Sequence, residues 1–527
     1  VQAVKALGKG RTYLIMEIVK KVFGIAMILL VMYRGVMAIA WTAFIVTLFA
    51  AVVNSTPNRK FLNYNYKEKY LLEVNGRYDG TSRFMKDQRW NFFPSFSLGW
   101  NVARENFWKP LESVVNQFKL RGSWGELGNQ NTSNLYPFYE ILPVKSNSGN
   151  WLVNGGKTNT ADIPSLVSTL LTWERVRSFN VGFDFGAFSN RLTGSFDYFV
   201  RKTVDMVGPA PQLPLVLGIA PAIVNNADMK SYGFEIELSW RDRIGEVDYG
   251  VKFNLADAQQ KVVKYPNTTN AFNDWYAGKM SGEIWGYTSL GIAKTDEEMK
   301  EHLASLPNGG QNQLGNKWGA GDIMYADING DGKVDGGKGT LADPGDQRII
   351  GNSTPRYNFG LVLDASYKGF DVSIFFQGVG KRDYAPIVGT NGAVFWGAVN
   401  NIWQSMAMEE HFDYFRPEGH PMGANLNGYY PRPDFTSNKN HQVQTRYLQD
   451  ASYIRLKNLQ IGYTLPKQWI NKLHINRCRV YVSGDNLWTG TSLASMFDPE
   501  TLAAGDWGSG KTYPLSKVIS FGLNVNF

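Results

Sequence analysis

The sequence predicts an all-β fold, a transmembrane antiparallel β-barrel, on three observations. From about residue 61 to the end, segments of about ten residues alternate apolar and polar side chains, the length a tilted strand needs to cross a bilayer. The connections between them are alternately very short and very long. Aromatic residues make up 14% of the 527, with 26 Tyr, 31 Phe and 16 Trp. Period-two alternation gives a strand one apolar and one polar face. Soluble sandwich strands alternate too, but they run to about 5–6 residues. Short turns at one rim and long loops at the other are the habit of outer-membrane barrels. Tyr and Trp suit the membrane interface, where one end of the ring is apolar and the other wet.

The elements follow in order. Tyr70, Leu72, Val74 and Tyr78 form the first clear stripe, then Phe92, Phe96, Leu98 and Trp100, then Phe118, Leu120 and Trp124. Phe179, Val181, Phe183 and Phe185 lead through a Ser189-Asn190 turn to Leu192, Phe196, Tyr198 and Val200. Tyr232, Phe234, Ile236, Leu238 and Trp240 are expected to pair with Val247, Tyr249, Val251, Phe253 and Leu255. Tyr357, Phe359, Leu361 and Leu363 turn at Lys368-Gly369 into Phe370, Val372, Ile374 and Phe376. Leu459, Ile461 and Tyr463 come next, then Val480 and Val482. The last strand is the cleanest, with Ile519, Phe521, Leu523, Val525 and Phe527 against Ser520, Gly522, Asn524 and Asn526. Phe521, Leu523, Val525 and Phe527 are read as a membrane-insertion signal. The total is roughly thirteen strands. Residues 125–170, 201–230, 257–355, 379–450 and 485–515 are left as long loops, with one helix opened by the capping box Thr295-Asp296-Glu297-Glu298. Unstructured loops of that length are unusual unless they bind something.

Residues 1–60 do not fit the pattern. Val22 to Val53 is a near-continuous apolar run broken by Arg34 and preceded by Lys5, Lys9, Arg11, Lys20 and Lys21. It reads as a membrane helix, as a signal peptide cut near Ala38-Ile39-Ala40, or as barrel strands with unreliable residue identities. The domain division is therefore 1–60, an anomalous apolar segment, and 61–527, the C-terminal part of a barrel with long extracellular loops.

Composition excludes several function classes. The net charge of +8 is scattered, with no basic stripe for nucleic acid. Cys478 is the one cysteine, so no intrachain disulfide forms, and the five His lack zinc-ligand spacing. Gly337-Lys338 lacks the Ser or Thr of a phosphate-binding loop, and Glu409-Glu410-His411 lacks a second His. With no catalytic set in view, no enzyme activity is expected.

Two sets of residues remain as candidate sites. Asp327, Asn329, Asp331, Lys333 and Asp335 occupy positions 1, 3, 5, 7 and 9 of a calcium-loop pattern, with Gly332 at position 6. Position 12 is Lys338 rather than Glu, so Asp343 or Asp346 would have to complete the shell of a Ca²⁺ ion. The competing reading is an acidic loop held by Asx-turns. The second set is the loop aromatics Trp275, Trp285, Trp318, Trp396, Trp403, Tyr429, Tyr430 and Trp507, with Tyr276 and Tyr287 beside them. Flat rings suit the apolar faces of sugars. The competing reading has them packing the loops together.

Several stretches together resemble one family. They are NYNYKEKYLLEVNGRYDGTSRF (63–84), FFPSFSLGWNVARENFW (92–108), LRGSWGELGNQ (120–130), FNVGFDFGAFSNRLTGSFDYFVRKT (179–203), GDIMYADINGDGKVD (321–335), GNSTPRYNFG (351–360), ASYIRLKNLQIGYTLP (451–466) and VYVSGDNLW (480–488). In this order they resemble the SusC/RagA family of TonB-dependent outer-membrane transporters of Bacteroidetes. The resemblance implies a barrel of about 22 strands, part of which this chain supplies. It implies a plug and a TonB box ahead of residue 61, where the apolar run stands instead. It also implies a SusD-like surface lipoprotein as lid, TonB as energy source, a Gram-negative outer membrane as location, and oligosaccharides or peptides as cargo. The alternative is a barrel that serves as a receptor or adhesin without transport.

Overall fold

The computed structural model describes residues 59–527, apart from 131, 133–134, 211–213, 220, 387–392, 398–406, 435–437, 472–473 and 503–511. The readings of the apolar segment before residue 59 lie outside the described residues, as do Trp403 and Trp507.

Thirteen strands form one antiparallel sheet, and each pairs with its neighbours in sequence. They are β1 Arg59–Tyr66, β2 Tyr70–Gly80, β3 Trp90–Asn101 and β4 Val115–Asn129. Then come β5 Glu174–Ala187, β6 Leu192–Val207, β7 Asn225–Ile244 and β8 Val247–Lys264. The last five are β9 Arg356–Tyr367, β10 Phe370–Lys381, β11 Tyr453–Thr464, β12 Arg477–Thr491 and β13 Val518–Asn526. The order and the hairpins from β2 to β13 match the sequence stripes, whereas β1, paired with β2, corresponds to none of them. Ile236 faces Leu255 and Leu238 faces Phe253, as the alternation predicts. Two residues, Gly245 and Glu246, join β7 to β8, and Lys368-Gly369 joins β9 to β10 with φ of 46° and 90°. A positive φ at both central residues gives the mirror-image turn whose twist matches the strands it joins.

The strands run further than the stripes. The sequence assigned 125–170, 201–230, 257–355, 379–450 and 485–515 to loops, yet β4 continues to Asn129, β6 to Val207, β8 to Lys264 and β12 to Thr491. The reason is that the apolar face turns charged towards the long-loop rim. There Glu126 pairs with Arg177, and Asp257 takes the fork of Arg356. Alternation ends where the bilayer ends, whereas the hydrogen-bonded ladder goes on.

One face of the sheet is apolar and open. Leu98 is 55% exposed, Ile461 53% and Phe521 81%. A continuous apolar surface of this kind is untenable in water and is the lipid-facing wall of a barrel. The β7 stripe from Tyr232 to Trp240 rises about 3.4 Å per residue, so at a tilt of about 40° it covers a band of roughly 20 Å, near the apolar height of such barrels.

The opposite face is polar, and one arrangement recurs there three times. Arg121 of β4 and Asp197 of β6 both lie opposite Gly182 of the intervening β5. They join across it by hydrogen bonds of 2.9 and 2.8 Å. Arg241 of β7 reaches Asp364 of β9 at 3.8 Å, across Gly250 of β8. Arg479 of β12 lies opposite Thr464 of β11, and its guanidinium leans over Gly462 to bind Asp371 of β10, which is opposite that glycine. A Cβ on Gly182 would sit 2.5 Å from Asp197 Oδ1, and one on Gly250 2.8 Å from both oxygens of Asp364. The middle strand needs glycine because the ion pair, and at Gly182 the Phe196 carbonyl as well, stands directly over it.

Above the long-loop rim three loops knit into one unit. Tyr287, Ile323, Tyr325 and Val334 come from the loop after β8. Val394, Phe395, Trp396, Tyr430 and Tyr447 come from the loop after β10, and Leu493, Phe497 and Leu502 from the loop after β12. Two small hairpin pairings stiffen the first loop, Glu283–Gly286 with Arg348–Asn352 and Ser289–Ile292 with Ile323–Tyr325. The predicted helix is there as α1, Asp296–Ala304, with Thr295 Oγ1 accepting from the Glu298 amide at 3.1 Å. Glu298 itself accepts from the Lys294 amide, so the capping box closes one residue earlier than the pattern implies.

Candidate functional site

The loop unit gathers some of the aromatics singled out by sequence and separates others. Trp396 and Tyr430 lie inside its core, 1% and 5% exposed. Tyr429 is half-buried, and its hydroxyl accepts from Gln449 Nε2 at 2.8 Å. Trp318 is half-buried on the rim of the core beneath the Lys439 ammonium, 5.1 Å from its ring centre. Trp285 stacks on Phe272 with centroids 4.6 Å apart, and Trp275 stands edge-on to Tyr265. Tyr276 donates to Glu283, and Tyr287 is buried against Tyr325.

Trp396 and Tyr430 line a cleft of about 130 Å³ with His411, Phe412, Tyr414, Arg432 and His441, walled further by Pro431 and Pro433. Apart from Trp396 and Tyr430, the sequence singles out none of these residues as a site, and it raises His411 only as a metal ligand that lacks a second His. The run Tyr429-Tyr430-Pro431-Arg432-Pro433 is the signal that marks the place, since rings and prolines together make a stiff apolar wall. His411 Nδ1 accepts from the Met408 amide at 3.0 Å. Its Nε2 faces the carbonyls of Val394 and Phe395 at 3.1 Å, so this ring is the neutral tautomer with its proton on Nε2. Burial pushes the His441 pKa down to about 4, so this ring too is neutral near pH 7. The Trp396 indole N–H and His441 Nδ1 are both buried and have no hydrogen-bond partner among the described residues. Their rings lie 4.5 Å apart, centroid to centroid.

The calcium-like loop is closed by its own oxygens. Asp327 accepts from the Gly330 and Gly332 amides at 2.6 and 2.8 Å, and Asn329 from the Asp331 amide at 2.9 Å. Asp331 accepts from the Lys333 amide, and the Lys333 ammonium sits 2.5 Å from Asp335. That contact holds the Asp335 carboxyl below its ordinary pKa. Asp346, buried beneath, accepts from the Ile328 and Asp335 amides at 2.7 Å each. Asp343 lies 3.9 Å from Lys338. Among the described residues no three His, Cys, Asp or Glu side chains converge as metal ligands.

A long-stranded sheet with one lipid-facing side, short turns at one rim and a folded loop mass at the other narrows the fold to a small group of membrane barrels. Residues 61–487 match the family model described as TonB dependent receptor-like, beta-barrel. The chain belongs to that family. As a TonB-dependent receptor barrel it stands in the outer membrane of a Gram-negative bacterium, with its apolar face in the bilayer. It is similar to TonB-dependent receptor P3 of Formosa agariphila, 30% identical over 496 residues that cover 88% of this chain and 45% of the relative. It is similar to TonB-dependent receptor SusC of Bacteroides thetaiotaomicron, at 24% identity over 88% of this chain and 43% of the relative. The receptor barrel therefore spans a little under half the length of the curated relatives it matches. Its fold is similar to that in the structure of the RagAB peptide transporter, with a TM-score of 0.67 at 23% identity, covering 89% of this chain and 47% of that one. The SusC/RagA resemblance is borne out by these matches.

Proposed function

We propose that this chain forms the barrel wall and roof of a TonB-dependent importer of large nutrients, oligosaccharides or peptides. It works with a SusD-like surface lipoprotein that closes over the long-loop rim, and with a plug and TonB that open the path. The observation that carries this reading is the loop unit itself. A loop mass with its own buried core, knitted from three connections, offers a firm platform for a lid and a bound cargo. RagAB, a peptide transporter with a barrel of this fold, lends support to import. Deleting the gene and measuring growth on a panel of glycans and peptides tests it. Loss of growth on one class is expected, and unchanged growth on every one would count against import. Pull-down of the barrel from outer membranes should bring a lipoprotein with it. Recovery of the barrel alone would favour the second reading, a receptor or adhesin without transport.

Within this reading the substrate contacts fall among Trp275, Trp285, Trp318, Trp396, Trp403, Tyr429, Tyr430 and Trp507. Phe521, Leu523, Val525 and Phe527 act as the insertion signal. For the Asp327–Asp335 loop we favour closure by Asx-turns over a bound Ca²⁺, because its carboxylates already hold backbone amides and Lys333. Metal analysis of the purified protein before and after chelation decides it, and one equivalent of calcium would overturn the turn-only reading.

A further inference from the structure

Four basic side chains stand in one rung on the lipid-facing side of the wall. Lys202 of β6 lies directly opposite Arg177 of β5 and Lys230 of β7, and Lys230 lies opposite Lys261 of β8. Arg177, Lys202 and Lys230 stand two residues beyond Phe179, Val200 and Tyr232, so they share the face of those apolar residues. Lys261, paired with Lys230, shares it too. The Lys230 ammonium lies 5.2 Å from the centre of the Tyr232 ring, at the edge of the apolar band. Strands lie about 4.8 Å apart, so the rung is a basic row about 14 Å long.

We infer that this row binds the phosphate groups of the glycolipid that fills the outer leaflet of the membrane. The inference goes beyond the import reading and does not depend on it. Like charges directly opposite on one face of a sheet destabilise it. Among the described residues Lys202, Lys230 and Lys261 have no carboxylate partner. Arg177 gives its Nε to Glu126, which faces it from β4 and ends the row on that side. The other carboxylates close by are engaged. Asp257 holds Arg356, Asp205 holds Arg175 at 3.4 Å, and Asp228, opposite Lys264, accepts the Asp205 amide at 3.0 Å. Four cations against Glu126 leave a surplus of positive charge that an outside anion neutralises.

Position and shape select the anion. The row stands just past the band from Tyr232 to Trp240, on the long-loop side, which is the outer one. Lysine there keeps its stem on the apolar wall and lifts its ammonium among the headgroups. Below the row the wall is apolar over two more rungs, Phe179, Val200 and Tyr232, then Val181, Tyr198 and Phe234. Phe179, Val181 and Tyr198 are exposed there, a floor for acyl chains. A soluble anion has no use for that floor, and an uncharged lipid has none for the row. An amphiphile with phosphate on its headgroup uses both. One phosphate accepts from two neighbouring cations, and charge-assisted bonds of that kind are the strong ones.

The test uses the full-length transporter purified in detergent, with bound lipid counted by native mass spectrometry across a titration. The probes are lipid A from the bacterium that makes the protein, the same lipid A with its phosphates removed, and phosphatidylglycerol. Lipid A should bind the unaltered protein, and the dephosphorylated form much more weakly. Lys202→Gln, Lys230→Gln and Lys261→Gln should each weaken lipid A binding about fivefold, and the three together by about two orders of magnitude. The same three positions changed to Arg should retain it. Heat-modifiable mobility on gels shows which variants are folded. Equal binding of both forms of lipid A by the unaltered protein overturns the inference with no variant needed. Undiminished binding by the folded triple Gln variant does so too. Phosphatidylglycerol that displaces lipid A at equal concentration overturns the choice of the glycolipid.

Discussion

The guanidinium of Arg432 holds the carboxylate of Asp322 by two hydrogen bonds of 2.8 and 2.7 Å, and that carboxylate is fully buried. Asp322 also receives Lys439 Nζ, Asn440 Nδ2 and the Gly319 amide, each at 2.9 Å. Asp322 belongs to the loop after β8, and the other three side chains to the loop after β10. This carboxylate therefore locks two loops to each other. Asp322→Ala leaves two cations around a buried hole, a change that costs about 3–5 kcal/mol when a buried pair loses one member. Protease treatment of intact cells should cut the loops of this variant much faster, while the barrel keeps its heat-modifiable mobility on gels. Loops as resistant as before would show that the lock contributes little.

A second prediction concerns the wall. Gly182→Val places side-chain atoms where Arg121 and Asp197 meet, 2.5 Å from a carboxylate oxygen. Overpacking of this kind costs about 1–3 kcal/mol. The amount of assembled, heat-modifiable barrel in the outer membrane should fall, and Arg121→Ala combined with Gly182→Val should recover part of it. No recovery would mean that the glycine serves the backbone and not the ion pair.

Acid should loosen the loop unit through His441. The ring keeps its proton off down to about pH 4 in the folded state, whereas an exposed His takes one up at about 6.5. Asp434 is the charged group that works against this, by favouring the protonated ring. Between the two pKa values the unfolded state binds more protons, so stability is full above about pH 6.5 and drains away as pH falls towards 4. The loss reaches roughly 3 kcal/mol below that window. Loop proteolysis at pH 5 against pH 7 should rise more in the native protein than in His441→Gln. Equal pH dependence in both would remove His441 as the cause.

The proposed insertion signal gives a fourth prediction. Phe521 is 81% exposed on the apolar side of β13, and Phe527, which follows the strand, is 85% exposed. Phe527→Ser should lower the outer-membrane level severalfold while leaving synthesis unchanged, as read by pulse-labelling and fractionation. Equal levels would detach Phe527 from assembly.

The wall was legible in the sequence because lipid on one side and polar contacts on the other enforce strict alternation. The pairing of Leu238 with Phe253 and the turn at Lys368-Gly369 could be read directly. Strand ends were not legible, because Asp257 and Arg177 stand on the outward face near the long-loop rim, where ion pairs with Arg356 and Glu126 interrupt the apolar stripe. The loop residues were legible only as kinds. Tyr430 and Trp285 look alike in the sequence, yet one is buried in a core of three loops and the other stacks on a neighbour from its own loop. Long-range packing decides that difference, and no local spacing encodes it. His441 carried no sequence signal at all, since its environment is built by Trp396 and Asp434 from elsewhere in its loop.

Alternation leaves one error undetected. A strand that slips by one residue turns its apolar face inward and is rejected, but a slip of two keeps every face correct. The three ion pairs that cross a glycine close this gap. A slip of two in β5 would bring Asn180 or Asp184 beneath the Arg121–Asp197 bridge in place of Gly182, and a side chain would block it. The same reading applies at Gly250 and Gly462. Spaced one to each run of three strands from β4 to β12, these crossings act as checksums on register, so that a barrel closing around its lumen is tested for position as well as for orientation.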